Sequence, residues 1–153
     1  MPKVTLSRAE VDAARDRTWA IVRPVYDLLA RYRHEDLSPR QQQAQLVLFY
    51  SNEIFNGGHL QHFHNQGMEH AGELLSALSE MGAAEHRANF AEALAYARQY
   101  PVEHAESIEE YSDWAYEQEF REWDDAHYAL PELGNELLPR YILANLSDFV
   151  ELV

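Results

Sequence analysis

Apolar residues recur at three- and four-residue intervals along most of the chain, and this spacing places them on one face of a helix. The pattern predicts helices over residues 7–34, 39–55, 68–81, 84–100 and 135–150. No stretch shows the alternation of β-branched and polar residues that is typical of a strand. We therefore expect an all-α protein, a single compact domain of six or seven helices that spans residues 1–153.

Local signals mark where several of these helices begin. Ser7 and Ser38 are each followed three residues later by Glu or Gln, the spacing of a capping box, in which the two residues satisfy each other's backbone N–H groups. The N-terminal helix, residues 7–34, is expected to kink at Pro24, because proline lacks the N–H of a helical hydrogen bond.

Negative charge is concentrated in residues 103–125, here called the acidic segment, where ten of 23 residues are acidic and only Arg121 is basic. The ten are Glu103, Glu106, Glu109, Glu110, Asp113, Glu117, Glu119, Glu122, Asp124 and Asp125. Like charges four apart destabilise a helix by about 0.2–0.5 kcal/mol per pair, so local stability does not account for this density. The alternatives are a solvated face that promotes solubility and a surface that binds a basic partner, and we predict the second.

Composition narrows the classes of partner. The net charge is −14, and the acidic half has no Lys/Arg cluster, which disfavours direct binding of nucleic acid or of an anionic membrane. The chain has no cysteine, which excludes disulfides and cysteine-ligated zinc and fits a reducing compartment. No run approaches the ~18 apolar residues of a membrane span. We expect a cytoplasmic protein without a cofactor.

Asn56, Gly57 and Gly58 interrupt the helical pattern. Two glycines after an asparagine allow positive φ angles, and hence either a tight reversal between helices or a backbone nest for an anion. A phosphate loop usually includes a lysine or follows a strand, and neither is found here. We predict a structural turn that Gln61 and Asn65 fix by hydrogen bonds to the backbone.

A histidine-rich stretch follows this turn and raises the alternative of a metal site. It contains His59, His62, His64 and His70, with Glu53, Glu69 and Glu73 as nearby carboxylates. The stretch lacks a specific ligand motif such as His-Glu-x-x-His, so no metal ligand is assigned. No nucleophile elbow or distinct acid and base pair is found, and we expect a protein that is not an enzyme.

The stretch from Phe49 to Asn65, together with Ala77-Leu78 and Met81-Gly82-Ala83, resembles a family of small acidic all-helical DNA-mimic proteins with a domain of unknown function. The shared motif consists of Asn56, Gly57, Gly58, Gln61 and Asn65. The resemblance is closest over residues 46–98 and weaker over 120–150, so the family-like core spans about 46–150. It implies a helical fold, a homodimer, and carboxylates that imitate DNA phosphates on a DNA-binding protein. It implies no site at the histidines.

The leading hypothesis is an acidic DNA-mimic interaction protein that regulates transcription. It would bind the DNA-binding surface of a basic partner, such as a transcription factor or nucleoid protein, and compete with DNA. The same electrostatics fit an immunity or antitoxin protein that blocks a basic nuclease. A third possibility is a His-rich metal-binding protein or enzyme centred on His59, His62, His64 and Glu69.

Overall fold

Helices make up most of the chain that the computed structural model describes, namely residues 1–14, 16–100, 107, 109–110 and 119–153. In chain order the elements are β1 (Val4–Leu6), α1 (Arg8–Ala13), α2 (Trp19–Arg31), a 3-10 turn (His34–Asp36), α3 (Pro39–Gln66), α4 (Ala71–Glu80), α5 (Ala84–Gln99), α6 (Arg121–Tyr128), a π turn (Leu133–Leu137), α7 (Leu138–Ala144), α8 (Leu146–Phe149) and β2 (Val150–Leu152). Within this described part, seven α-helices have six or more residues. The prediction of an all-α single domain is confirmed.

The long helix α3 lies at the centre of the fold, and its start is set by its own sequence. Ser38 Oγ accepts a hydrogen bond from the N–H of Gln41, and the Gln41 side chain accepts one from the N–H of Ser38. Pro39 occupies the first helical position, where its missing N–H costs nothing. Helices α2, α4, α6, α7 and α8 all contact α3, and α5 packs between α4 and α6.

The hydrophobic core forms around the inner face of α3. Its largest fully buried side chains are Tyr50, Phe90, Phe149, Leu29, Leu37, Ile54, Leu74, Leu78, Leu94, Leu133, Leu138 and Ile142. These residues come from six helices, the π turn and the position just after the 3-10 turn, so burial of apolar surface holds elements from both ends of the chain together. Within the described residues, no helix combines the length and the apolar composition needed to cross a lipid bilayer.

The prediction of one N-terminal helix over residues 7–34 is wrong. The Ser7 capping box forms as expected, but α1 ends after Ala13, and α2 begins only at Trp19. Helix α1 buries no side chain, whereas α2 buries four. Packing against the core therefore does not stabilise α1 and α2 as one continuous helix. Pro24 lies inside α2 without ending it.

The C-terminal region also differs from the single helix predicted over residues 135–150. Asn145 interrupts it, since the Asn145 side chain donates a hydrogen bond to the carbonyl of Tyr141 and its backbone leaves the helical region (φ −125°, ψ 36°). After α8 the chain becomes β2, which pairs in parallel with β1 and places Val150 beside Val4. The expectation that no strand forms is therefore wrong for these two three-residue segments, whose pairing partners lie at opposite ends of the sequence.

Candidate functional site

The Asn-Gly-Gly motif lies at a bend inside α3. Gly57 (φ −160°, ψ 19°) and Gly58 (φ 71°, ψ −166°) both leave the helical region, and the helix continues in a new direction from His59. Gln61 packs over Gly57, where an added Cβ would lie 2.9 Å from Gln61 Cβ. Asn65 is exposed, farther along the second stretch of the helix.

A carboxylate from α6 fills the space beside Gly58. An added Cβ at Gly58 would lie 2.7 Å from Asp124 Cγ, so only glycine leaves room for this contact. Asp124 Oδ1 accepts hydrogen bonds from the backbone N–H of His59 (2.8 Å) and from His59 Nδ1 (2.6 Å). The bend therefore does bind an anion, but that anion belongs to the same chain. Asp124, predicted among the partner-binding residues, is corrected accordingly: its carboxylate faces inward.

The hydrogen bonds of His59 determine its tautomer. The ionised Asp124 carboxylate can only accept, so His59 Nδ1 carries the proton and Nε2 is left as an acceptor. The hydroxyl of Tyr50 donates to this Nε2 at 2.8 Å. A Tyr–His–Asp chain thus joins α3 to α6. The His59 side chain is 0% exposed, so no substrate reaches its ring in this structure.

His59 belongs to a buried histidine cluster that also contains His62, His86 and His127. The ring of Tyr50 packs edge-on against His62 and His127, with centroid distances of 5.1 and 5.5 Å. The ring of His127 lies in turn 5.6 Å from that of His86. The cluster therefore joins α3, α5 and α6 through ring contacts, which makes it part of the core.

Burial lowers the pKa of three of these histidines below the ordinary value of 6.5. For His127 the pKa falls to about 4, first because desolvation disfavours the imidazolium and then because His59 and His86 lie nearby. Burial also lowers the pKa of His59, although Asp124 opposes the shift, and it lowers the pKa of His86. At neutral pH these three rings are therefore uncharged.

The histidines and carboxylates of the predicted metal alternative do not gather into one site. His59 binds Asp124, and His62 Nδ1 lies 3.1 Å from Glu53 Oε1. His64 is half-buried and Glu69 is exposed. His70 and Glu73 do lie together, and His34 of the 3-10 turn lies beside them.

The described part of the acidic segment presents exposed carboxylates. They are Glu109, Glu110, Glu119, Glu122 and Asp125. The predicted partner-binding residues Glu103, Glu106, Asp113 and Glu117 lie outside the described residues. We refer to Glu119, Glu122 and Asp125 as the outer acidic patch. Within the portion of the chain that the structure describes, these three carboxylates form no ion pair. Arg33 and Arg40 of the N-terminal third pair elsewhere, with residues of the 3-10 turn and with Asp148.

Aromatic side chains fix the outer acidic patch to helix α5. Phe120 is buried at the start of α6, and its ring packs edge-on against Tyr96 of α5, with a centroid distance of 5.0 Å. The indole N–H of Trp123 donates to Glu92, also on α5, at 3.2 Å. The backbone N–H of Glu119 donates to the Tyr96 hydroxyl at 3.4 Å. These contacts, with the Asp124–His59 bonds, fix α6 to the core and fix the direction in which its charges point.

A cleft of about 370 Å³ opens elsewhere on the surface, between α2, α3 and the π turn. It is lined in part by Trp19, Tyr26 and Phe55, and we call it the aromatic cleft. Trp19 and Phe55 are 46% and 50% exposed, and Tyr128, whose ring lies 5.7 Å from Phe55, is 48% exposed. Exposed aromatic groups gathered in one place are typical of a binding surface.

Sequence reasoning missed the Asp124–His59–Tyr50 chain and the roles of His86 and His127. Asp124 and His59 are 65 residues apart, and no local pattern distinguishes Asp124 from its acidic neighbours. The signal that did exist was the pair of glycines, which predicted an anion nest as an alternative but could not name the anion.

Comparisons with known proteins give one finding. The model of the DMP19-like protein family matches residues 35–145, more than half of the chain. No curated protein and no solved structure gives a match. The match corrects the resemblance drawn from the sequence: the family is that of DMP19-like proteins, and the matched description indicates no family of DNA mimics. The matched region contains residues 46–98 and most of 120–150, the two segments on which the resemblance was based. It begins at residue 35, earlier than the expected start near residue 46.

Proposed function

The chain belongs to the DMP19-like protein family, and we propose that this member is an acidic DNA mimic. It binds the DNA-binding surface of a basic partner, such as a transcription factor or nucleoid protein, and competes there with DNA. We place this activity in the cytoplasm, where it regulates transcription. The family match supplies the fold and no function, so the proposal depends on the surface of this chain.

The observation that carries the proposal is the outer acidic patch, in which Glu122 and Asp125 lie on a helix fixed to the core and Glu119 lies just before that helix. Glu122 and Asp125 are three residues apart on α6, so their side chains are neighbours on one face. Rigid placement matters because a mimic competes best when its charges need no ordering on binding. The histidine cluster supports a binding role over catalysis, since its rings are buried and His59, His62 and His86 make hydrogen bonds within the protein.

Geometry also favours a two-fold assembly. Phosphates on one DNA strand recur every 3.4 Å along the axis, whereas helix turns rise 5.4 Å, so one helical stripe of charge cannot follow a strand phosphate by phosphate. Two patches, one from each subunit of a homodimer, imitate a backbone over a longer distance. We propose that the aromatic cleft forms the dimer interface, because large exposed aromatic groups are enriched at the centres of interfaces.

Neutralising the outer acidic patch tests the proposed function. The variant Glu119→Gln/Glu122→Gln/Asp125→Asn is expected to bind the partner about tenfold less tightly at low salt, because each exposed charge contributes about 0.5 kcal/mol. Wild-type protein first captures the partner from its own cell extract, with salt elution and mass spectrometry. Competition with DNA for the purified partner is then measured by fluorescence anisotropy.

The matched control is Glu80→Gln/Glu85→Gln/Glu151→Gln, which removes the same number of exposed charges elsewhere. It is expected to bind like the wild type. Equal binding by both variants and the wild type would show that the patch is not the contact surface. Capture of a nuclease whose activity is inhibited would favour the immunity function over transcription regulation.

Replacing Phe55 tests the dimer. Phe55→Ser is expected to convert the homodimer to a monomer, or to raise its dissociation constant at least tenfold, because an aromatic anchor in an interface typically contributes more than 1 kcal/mol. Sedimentation velocity over a concentration series measures this. Tyr32→Ser, which alters an aromatic residue that is also exposed but does not line the cleft, is the control. A wild type that is monomeric at every concentration would refute the dimer and leave the acidic patch to be tested by itself.

A further inference from the structure

Three potential metal ligands converge from two separate elements. His34 lies in the 3-10 turn, His70 immediately precedes α4, and Glu73 lies in the first turn of α4. Glu73 Oε2 is 3.4 Å from His34 Nε2 and 3.5 Å from His70 Nδ1. The ligand atoms of all three residues lie within 4.8 Å of one another.

The hydrogen bonds of Gln45 settle which nitrogen of His34 carries its proton. Gln45 Nε2 donates to the carbonyl oxygens of Leu29 (2.8 Å) and Tyr32 (2.9 Å), so Gln45 Oε1 remains as an acceptor. His34 Nδ1 lies 2.9 Å from this oxygen and must be the donor. The neutral ring therefore presents the lone pair of Nε2 to the Glu73 carboxylate, another acceptor.

Two acceptors that face each other need a cation between them. The second histidine also lacks a partner, because His70 Nδ1 is buried and makes no hydrogen bond within the described residues. It lies 3.5 Å from the same carboxylate oxygen, and in the tautomer with its proton on Nε2 it adds a second nitrogen lone pair beside that carboxylate. Buried polar atoms are rarely left unpaired, and an unpaired one often marks an ion.

We propose that His34, His70 and Glu73 bind one divalent transition-metal ion, with Zn²⁺ as the expected occupant. Zinc bonds of 2.0–2.1 Å in tetrahedral geometry place ligand atoms about 3.3–3.4 Å apart, close to the two separations from Glu73 Oε2. Histidine nitrogen and carboxylate oxygen are both ordinary ligands of Zn²⁺. Three protein ligands leave the fourth coordination position to water or to a ligand.

Gln45 is the outer support of this site. A metal-binding histidine commonly donates its other ring N–H to a fixed acceptor, which holds the ring in orientation. Gln45 is itself anchored by two backbone carbonyls at the end of α2, so α2, α3 and α4 together fix the site. Bound metal would join the 3-10 turn to the start of α4. This inference is independent of the proposed DNA mimicry, because neither the acidic segment nor the aromatic cleft contributes a ligand.

The test uses the full chain purified without a histidine tag and freed of metal with a chelator. Calorimetric titration with Zn²⁺ is expected to show one ion per chain and a rise in melting temperature, because metal binds the folded state. Glu73→Gln and His70→Gln are each expected to weaken binding at least tenfold. Glu73 is exposed, so the Glu73→Gln variant is expected to fold even if the His70→Gln variant does not. Circular dichroism checks the folding of both variants.

Matched controls separate this site from diffuse binding to an acidic surface. Glu69→Gln and His64→Gln make the same chemical changes in the same region of the chain, and both are expected to keep wild-type affinity. The visible absorption of Co²⁺ in place of Zn²⁺ should show a four-coordinate site that is lost in Glu73→Gln. A wild type that binds no stoichiometric Zn²⁺, or Glu73 and His70 variants that bind as tightly as the wild type, would overturn the proposal. A proton would then be the cation between His34 and Glu73.

Discussion

Replacing Gly58 with alanine is expected to lower the free energy of unfolding by about 3–5 kcal/mol. Two costs combine. The φ of 71° with a ψ of −166° is a conformation that L side chains rarely adopt, and the new Cβ would overlap the Asp124 carboxylate. That carboxylate cannot easily move, because it is held by two hydrogen bonds from His59. Urea unfolding followed by circular dichroism measures the change.

Gly67 provides the matched control. It has a similar backbone conformation (φ 60°, ψ −142°), but no atom lies within 4 Å of the position where a Cβ would be added. Gly67→Ala therefore carries only the conformational cost and is expected to destabilise the protein by about 1–2 kcal/mol. Equal effects at the two glycines would show that the contact with Asp124 contributes nothing.

A double-mutant cycle isolates the contact between the turn and α6. In an Asp124→Ala background the overlap is gone, so Gly58→Ala is expected to cost only about 1–2 kcal/mol, the same as Gly67→Ala. Asp124→Ala by itself is expected to destabilise by about 3 kcal/mol, because it leaves the buried donors of His59 without an acceptor. Additive effects of the two substitutions would contradict the contact.

The second large effect is a loss of stability on mild acidification. The pKa of His127 is about 4 in the folded protein and 6.5 as its ordinary value. Between these values the unfolded chain binds more protons than the folded one, so stability is fully present above pH 6.5 and declines as the pH falls towards 4. The shift corresponds to about 3 kcal/mol for His127. His59 and His86 add to the decline in the same direction, because burial lowers the pKa of each.

Urea unfolding at pH values from 7.5 to 4 measures this profile. His127→Phe keeps an aromatic ring in the cluster but cannot be protonated, so its stability is expected to fall less steeply between pH 6.5 and 5. That window is diagnostic, because ordinary carboxylates titrate below it. His64→Phe, which alters a half-buried histidine outside the cluster, should retain the wild-type slope. A wild type whose stability is constant from pH 7 to 5 would show that these histidines are not buried as neutral rings.

Local sequence signals predicted much of the helical fold, and they failed where tertiary contacts decide. The Ser38 capping box and the apolar face of residues 84–99 are read correctly, because each depends on residues within one or two turns. The break after Ala13 was not predicted, because it depends on tertiary packing: α2 buries four side chains and α1 buries none. The parallel pairing of β1 with β2 was missed for a similar reason, since hydrogen bonds between distant segments leave little local pattern.

The sequence shows how much charge the site carries, but it does not show which carboxylates face solvent. By itself the sequence determined that the chain is helical, strongly acidic and anionic above all in residues 103–125, since these are properties of composition and short-range spacing. Only the tertiary structure decided that Asp124 faces inward while Glu122 and Asp125 face solvent. Neighbouring carboxylates are chemically alike, and what distinguishes them is whether the fold brings buried donors, here the N–H groups of His59, within hydrogen-bonding distance.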